Sequence, residues 1–363
     1  MQSFSDVLRQ VVEQRTSMDR ATARFLMEHI LQDPGSAQLD VQIAALLAAL
    51  AVRGVVAAAL AGFVDAMRAT SVPVPLTDTE RDALVDTCGT GGDSSGTFNI
   101  STGAALVAAA AGARIAKHGN RRVTSRCGSA DVLEALDVPV DLPPERAAEC
   151  LRQTGFVFLF APRMHPAMRR VQSLRRDLGF RTVFNVLGPL ANPAGARRQV
   201  MGVYNRGLLP LIAETMLALG VHHGLVVHGT ALLGNGGQAG LDELSLCGPN
   251  TLAEVRQGRV DTYELKVEET GMPPALLAAL AGGDMRQNAA LLRQVFAGAA
   301  GPCRDVVVLN AAAALVVAGR AHSLRAGMEQ AAAAIDSGAV SRTLAALVEF
   351  GRKNAKTAGA VGA

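Results

Sequence analysis

The chain has 363 residues, 49% of them hydrophobic and 18% charged, with a formal net charge of +3. That is ample apolar material for a large core and a length that predicts two domains, or one large domain with a smaller partner. The slight positive charge excludes the basic footprint of a nucleic-acid or anionic-membrane binder, because the arginine pairs at 121–122, 169–170, 175–176 and 197–198 are scattered as on solvated faces.

The first residues, Met1-Gln-Ser-Phe-Ser-Asp, have neither a basic n-region nor an apolar h-region. The longest apolar run, roughly 41–50, is cut by Arg53 and falls short of the about 20 residues of a membrane span. A soluble, cytoplasmic protein is expected. Residues 4–69 read as helix throughout: apolar residues recur every three or four positions (Phe25, Leu26, Ile30; Leu46, Leu47, Leu50), and Asp33-Pro-Gly-Ser breaks the run. Ser71-Val-Pro-Val-Pro-Leu is an extended connector and the best boundary. Strand-like and helix-like segments then alternate: strand 83–86, helix 101–111, strand 113–117, a helix capped by Ser129 and running to 136, strand 155–160, helix 165–178, strand 199–204, helix 208–219 and strand 224–228. This rhythm predicts a largely parallel sheet covered by helices. Between 251 and 269 charged and apolar residues alternate, as in one or two antiparallel edge strands. Helices return at 287–296, 305–318, 323–335 and 341–350, and the last residues, 354–363, read as a frayed tail.

Two polar islands interrupt this pattern. The first, Asp86-Thr-Cys-Gly-Thr-Gly-Gly-Asp93-Ser-Ser-Gly-Thr-Phe-Asn99-Ile-Ser-Thr102, follows an apolar run and opens into an alanine-rich helix. Its glycines bare backbone N–H groups, and Asn99, Ser101 and Thr102 fall where a helix start presents more donors, which is how a protein holds phosphate. The second is Lys117-His-Gly-Asn120. Lys117 is the only lysine in the first 265 residues of a chain that has four lysines and otherwise uses arginine. A compact ammonium can sit on a phosphate as a point charge, where a planar guanidinium cannot. The loop is neither a dinucleotide fingerprint nor a P-loop. Gly89-Thr-Gly-Gly-Asp-Ser94 lacks the last glycine of G-x-G-x-x-G, and neither Gly91 nor Gly96 is placed before the lysine a P-loop needs.

The five cysteines (Cys88, Cys127, Cys150, Cys247, Cys303) are odd in number and contain no C-x-x-C, against a disulfide framework or a zinc site. Cys88 lies in the glycine loop without a motif that pairs it with a base, so a small half-buried residue is the favoured reading. His222, His223 and His228 resemble no metal set. The adjacent carboxylates Asp242 and Glu243, on spacing alone, read as a solvated turn.

Taken in order, the motifs resemble one family. They are Asp86-x-x-Gly-Thr-Gly-Gly-Asp93, Phe98-Asn-Ile-Ser-Thr102, Lys117-His-Gly-Asn-Arg121, Gly128-Ser-Ala-Asp-Val-Leu-Glu-Ala-Leu136, Phe158-Leu-Phe-Ala-Pro162, His165-Pro-Ala-Met168, Arg181-Thr-Val-Phe-Asn-Val-Leu-Gly-Pro-Leu190, Asn192-Pro193, Leu241-Asp-Glu-Leu-Ser245 and Asn310-Ala-Ala-Ala-Ala-Leu315. From about residue 5 to 350 the chain is similar to the anthranilate phosphoribosyltransferases, which join anthranilate to the ribose of phosphoribosyl pyrophosphate (PRPP). The resemblance implies an α/β fold: a small all-helical N-terminal domain (1–72, with a returning helical segment near 165–190), hinged to a larger α/β domain (73–353) with a central, mostly parallel sheet flanked by helices. It also implies a homodimer built through the helical domain.

Carried over by motif, Gly89, Gly92, Asp93 and Thr97 would line the PRPP site. Asn99, Ser101 and Thr102 would hold phosphates at the helix start, and Lys117, Ser125 and Ser129 would complete the cradle. The Leu-Asp-Glu-Leu-Ser context turns Asp242 and Glu243 into magnesium ligands, direct or through water, with Ser101 also touching a metal. Anthranilate would meet Gly89, His118, Asn120, Arg175 and Pro189. Arg175, chosen over Arg176 by its place in Leu-Arg-Arg-Asp-Leu-Gly, is the natural bidentate partner of a carboxylate. An aromatic amine is neutral at pH 7 and attacks without a base, so His118 is given a packing and polar-contact role before a catalytic one.

The chain departs from the family pattern in places. A glycine-rich insertion, Thr230-Ala-Leu-Leu-Gly-Asn-Gly-Gly-Gln238, precedes the carboxylate pair and is read as lengthening a flexible loop beside it. Thr124 stands where serine is usual. Asp137 replaces a glycine at a left-handed helix end, with a small strain cost. Ala51-Val-Arg-Gly-Val-Val-Ala-Ala replaces a charged stretch, read as surface drift or a more apolar dimer face. Two rival readings are a pyrimidine nucleoside phosphorylase or related transferase with another acceptor, and a non-catalytic relative that binds nucleic acid. The second predicts a degraded glycine loop, a lost carboxylate pair and a basic patch, none of which the sequence shows.

Overall fold

The computed structural model describes residues 3–122, 126–233 and 237–360, with residues 354–360 described by backbone alone. Four helices open the chain: α1 (Phe4–Val12), α2 (Arg20–Gln32), α3 (Ala37–Arg53) and α4 (Ala57–Ala69). Their starts follow from local chemistry, since Ser3, Asp19 and Ser36 accept the backbone N–H groups of Asp6, Thr22 and Leu39. The Asp33-Pro-Gly-Ser break closes on itself: Asp33 Oδ2 accepts from Gly35 N at 2.8 Å and Ser36 N at 3.0 Å. Gly62 lets α2 and α4 touch along their backbones, because a β-carbon there would overlap the Arg20 carbonyl.

Eight strands form one sheet among the described residues: β1 (Leu84–Gly89), β2 (Arg114–Gly119), β3 (Phe156–Phe160), β4 (Arg198–Gly202), β5 (His223–Leu232), β6 (Gln238–Leu241), β7 (Asn250–Arg256) and β8 (Arg259–Leu265). The order is β3-β2-β1-β4-β5-β7-β8, with β6 paired to β5. β1 to β5 run parallel, and β6, β7 and β8 pair antiparallel. Each parallel strand is buried along most of its length, as in a sheet covered on both sides, and β1 and β2 carry buried polar residues (Asp86, Thr87, Lys117 and His118) towards their carboxyl ends. Because the chain runs from β1 outward to β2 and β3, then returns to place β4 on the other side of β1, the crevice at the carboxyl ends of β1 and β4 is the topological switch point.

Two apolar cores flank the sheet. One lies under helices Ile100–Ala110 and Pro302–Val317. The other joins α1–α4 to the sheet through helix Leu209–Ala218, so that Leu26, Ile43 and Leu60 share a core with Met201, Val226 and Val255. The chain also returns to the bundle between Pro166 and Leu190: Pro166–Val171 packs on α2, Gln172–Leu178 on α3 and Phe184–Leu190 on α4. No single helix among the described residues is long and apolar enough to cross a membrane.

The α/β rhythm is the expected one, with local corrections. The single helix expected at 165–178 is split into a 3₁₀ turn, Pro166–Val171, and an α-helix, Gln172–Leu178. Pro166 opens the segment, and Met168 N bonds back three residues to the His165 carbonyl at 3.1 Å. Ser129 does not cap its helix. Gly128 is the N-cap, where a β-carbon would overlap the Arg122 backbone, and Asp131 Oδ2 reaches back to Gly128 N at 2.9 Å. Helices Asp78–Ala83, Pro144–Thr154 and Ala161–Met164 were not anticipated, and Phe184–Leu190 falls in the returning helical segment expected near 165–190. Asp137 does take the left-handed conformation, φ 64°. The tail expected at 354–363 is helical to Ala360, and 361–363 lie outside the described residues.

Candidate active site

β1 ends at Gly89, and residues 90–99 form a loop in which Gly91, Gly92 and Gly96 have φ of 67°, 75° and 69°, with Ser94 at 57°. This left-handed run exposes backbone N–H groups, as an anion-binding loop requires. The loop leads into helix Ile100–Ala110, whose N-cap Asn99 makes no cap bond of its own. Asn99 is committed sideways instead, accepting from Asn288 Nδ2 at 2.9 Å and donating to the Cys127 carbonyl at 3.1 Å.

Asp242 and Glu243 follow β6 and lie across the ends of β1 and β4 and against the middle of β5. Asp242 Oδ2 accepts from Gly91 N at 2.6 Å, and Glu243 Oε1 accepts from Ser101 N at 3.0 Å. Lys117, 2% exposed on β2, donates to the Thr87 carbonyl and, at 3.3 Å, to Ser101 Oγ. Asn310 fixes the next residue from both sides, accepting from Leu244 N at 3.0 Å and donating to its carbonyl at 2.9 Å. Both carboxylates keep part of their surface open to the cleft, yet protein packs them closely on their other sides. Burial pushes the Asp242 pKa up, aided by Asp93 and opposed by the Gly91 N–H. Burial and then Asp242 push Glu243 up, opposed by Lys117 and Ser101. Two neighbouring carboxylates that resist ionising together are short of positive charge.

Among the described residues no three His, Cys, Asp or Glu side chains form a complete metal cage. Two carboxylates and a hydroxyl, all hard oxygens, fit an ion that keeps waters and takes its remaining ligands from a substrate's phosphates, which is the habit of magnesium. The Ser101 hydroxyl is within reach of Lys117.

A second group lines the bundle side of the same rim. His118 Nδ1 meets the Gly188 carbonyl at 3.1 Å, and its ring lies 5.0 Å from that of His165. Burial pulls the His118 pKa down to about 3, so the imidazole is neutral and too weak a base to serve near pH 7. Pro189 shapes the wall, with its carbonyl held by Gln199 Nε2 at 2.7 Å. Arg175 lies over the Phe184 ring, 5.3 Å from the centroid. Among the described residues it has no acidic partner, and burial lowers its pKa, whereas Arg176 is exposed. An unpaired, partly buried guanidinium on an aromatic wall is suited to a carboxylate ligand.

Of the remaining residues singled out in the sequence, Asn120 and Ser129 adjoin at the end of β2, where Ser129 Oγ donates to the Asn120 carbonyl at 3.2 Å. Thr97 is tied into a bridge with Ala281, and Thr102 is buried. Ser125 and Thr124 lie outside the described residues. Cys88 is buried against Gln199 with its thiol pKa driven well up by burial, which suits packing and not nucleophilic attack. The insertion is not an open loop in its described part: 230–232 belong to β5, Gln238 starts β6, and the two pair as a hairpin that delivers Leu241 and Asp242 to the rim.

Three functional positions escaped the sequence. Gly202 and Gly229 leave the room into which Asp242 and Glu243 fold, since a β-carbon on either would overlap a carbonyl of that pair. Arg181 donates to the Gly92 carbonyl and lies over the Tyr204 ring, 3.9 Å from its centroid. A glycine at a strand end (Gly202) was the available signal, but it does not say what approaches.

The chain matches two family models, described as "Glycosyl transferase family, helical bundle domain" over residues 5–71 and "Glycosyl transferase family, a/b domain" over residues 81–341. An anthranilate phosphoribosyltransferase of Brevibacillus brevis is 51% identical over 303 residues, covering 84% of this chain and 86% of that one. The crystal structure of the Thermus thermophilus anthranilate phosphoribosyltransferase superposes with a TM-score of 0.86 at 42% identity, covering 97% of this chain and 100% of the other. The Saccharomyces cerevisiae enzyme in complex with PRPP and Mg gives 0.84 at 26% identity, covering 96% and 98%.

Proposed function

This chain belongs to the anthranilate phosphoribosyltransferase family, and we propose that it transfers the 5-phosphoribosyl group of PRPP to the amine of anthranilate with magnesium, through the residues of this rim. The observation that carries the reading is the Asp242–Glu243 pair seated between the glycine loop and Lys117. The nucleic-acid-binding alternative gains no support, because loop, lysine and carboxylates are all in place, and the relatives named above are anthranilate phosphoribosyltransferases and not nucleoside phosphorylases.

In the reaction the amine nitrogen bonds to C1 of the ribose while the bond from C1 to the pyrophosphate oxygen breaks, and pyrophosphate leaves with that electron pair. The amine proton passes to solvent. Bound magnesium would offset the charge that gathers on the leaving pyrophosphate; Asp242 and Glu243 would hold it, with Ser101 beside them. The loop N–H groups around Gly89, Gly92, Asp93 and Thr97, with the helix start at Asn99, Ser101 and Thr102, would hold the phosphates, Lys117 would add a fixed positive charge, and Ser129 would close the cradle. Arg175 would hold the anthranilate carboxylate, while His118, Asn120, Pro189 and Gly89 shape the pocket that directs the amine at C1.

We further propose a bundle unit of residues 1–72 with the returning 165–190 segment, an α/β unit of 73–353, a cytoplasmic location and a homodimer through the bundle. What supports the dimer is a set of exposed valines: Val41, Val52 and Val56 are 71%, 89% and 43% exposed, and a groove of 630 Å³ runs between Val12, Ala48, Ala49 and Val52, edged by Arg15 and Arg53. The test of the reaction is product analysis by mass spectrometry. Phosphoribosyl-anthranilate and pyrophosphate in equal amounts support it; pyrophosphate without the adduct points to another acceptor or to hydrolysis.

A further inference from the structure

Arg181 follows the Gln172–Leu178 helix by three residues, after Gly179 has turned the chain with φ 66°. It is exposed, and among the described residues no carboxylate pairs with it. Its guanidinium is spent on two neutral groups. One is the Gly92 carbonyl, to which Nη2 donates, and the other is the face of Tyr204, with the ring centroid 3.9 Å away. Gly92 has φ 75°, which favours glycine, and a β-carbon on it would lie 2.7 Å from Arg181 Nη2 and displace the end of that side chain.

The same stretch of loop is held from other directions. Thr90 N donates to the Gly202 carbonyl at 2.9 Å, and Tyr204 N donates to Thr90 Oγ1 at 3.2 Å. Gly91 N donates to Asp242 Oδ2 at 2.6 Å. The turn at Gly91 and Gly92 is thus gripped by Asp242 through the Gly91 N–H and by Arg181 through the Gly92 C=O. A trans peptide is a rigid plane with its C=O and N–H opposed. Fixing the Gly92 carbonyl therefore fixes the direction of the Asp93 N–H, and Asp93 is near enough to Asp242 to raise its pKa.

We propose that Arg181 is a positioning residue that sets the glycine loop in its pyrophosphate-receiving form, acting on PRPP through the Gly92–Asp93 peptide and not by contact with a phosphate. The proposal rests on the PRPP reading of this rim. A fork that donates and stacks at once is a guanidinium's task, which an ammonium performs only in part.

The test compares the full-length protein with Arg181→Ala and Arg181→Lys in a Tyr263→Phe background. The chain has no tryptophan and two tyrosines, so Tyr204 is then the only phenol. Affinity for Mg·PRPP is measured by calorimetry, KM for each substrate by the forward assay, and folding by the melting temperature. For Arg181→Ala the expected results are PRPP affinity down about tenfold or more, anthranilate KM changed less than about twofold, an unchanged melting temperature and an altered near-ultraviolet spectrum of Tyr204. Arg181→Lys falls between. Unchanged PRPP affinity in Arg181→Ala, or full recovery in Arg181→Lys, overturns the proposal; the latter makes the residue a simple charge on the phosphates. An unchanged Tyr204 spectrum shows that the clasp does not form and overturns it too. If the parent protein itself does not bind Mg·PRPP, the underlying reading fails, and that outcome is separable from the others.

Discussion

Asp242 occupies the space that a side chain on Gly89 would need: a β-carbon at Gly89 would overlap the Asp242 carboxylate. Gly202 and Gly229, at the ends of β4 and inside β5, stand in the same relation to the carbonyls of Asp242 and Glu243. The carboxylate pair thus reaches the rim only because three neighbouring strands carry hydrogen in place of a side chain there. Gly89→Ala should push the Asp242 carboxylate off the Gly91 N–H. A magnesium titration of activity should then half-saturate at about tenfold higher metal, since a bond to a charged acceptor is lost, while the urea midpoint changes little. Gly202→Ala meets backbone and should also cost about 1–3 kcal/mol of stability, measured by urea unfolding.

Lys117 is buried beside Glu243, Ser101 and the Thr87 carbonyl. Lys117→Ala removes the positive charge that opposes the rise in the Glu243 pKa and the charge proposed for the leaving group. Turnover should fall on the order of 10² to 10³ times. Lys117→Arg should not restore it, because the slot is sized for an ammonium between two strands. Steady-state kinetics with PRPP as the varied substrate decide this.

The carboxylate pair gives the metal-free protein a stability that depends on pH in a known direction. The folded pKa values of Asp242 and Glu243 lie above 3.8 and 4.5, their ordinary values. Their contribution is fully present below those ordinary values and is lost as the pH rises through the raised ones. His118 and His165 act in the opposite range: burial holds them at about 3 and about 4, so their contribution is present above 6.5 and lost as the pH falls through those values. In EDTA, Asp242→Asn should melt above the parent at alkaline pH, with the gap closing towards pH 4. Excess magnesium should raise the parent at alkaline pH and leave Asp242→Asn nearly unmoved. Melting curves across the pH series check both statements.

Arg175, stacked on Phe184 and without an acidic partner among the described residues, is proposed for the anthranilate carboxylate. Arg175→Ala should raise the anthranilate KM about tenfold or more and leave the PRPP KM within about twofold. Arg176→Ala, at an exposed neighbour, should change neither much. Equal losses in both substrates at Arg175 would place it outside acceptor binding.

Much of this was legible in the sequence because it is local. The helix break at Asp33-Pro-Gly-Ser, the glycine loop opening into a helix and the alternation of strands and helices all follow from neighbours within a few positions. Asp137 could be read as left-handed from the glycine it replaces, and φ 64° agrees. The remainder depends on approaches between distant segments. Ser129 looked like a cap until the Arg122 backbone was found against Gly128. Arg181 stands in the sequence as the first residue of a family motif and no more, since nothing near it names Gly92 or Tyr204 as its partners. Asp242 and Glu243 read as a solvated turn by spacing alone. Their desolvation comes from β1, β4 and β5 arriving beside them.

The most direct measurement of the central claim is the fluorescence of anthranilate mixed with the purified protein, PRPP and magnesium, run beside an EDTA control and the Asp242→Asn variant. The account predicts loss of anthranilate emission that needs PRPP and magnesium, stops in EDTA and is strongly slowed in Asp242→Asn. Steady emission with folded parent protein and intact PRPP would contradict it, as would loss that continues unchanged in EDTA or in Asp242→Asn.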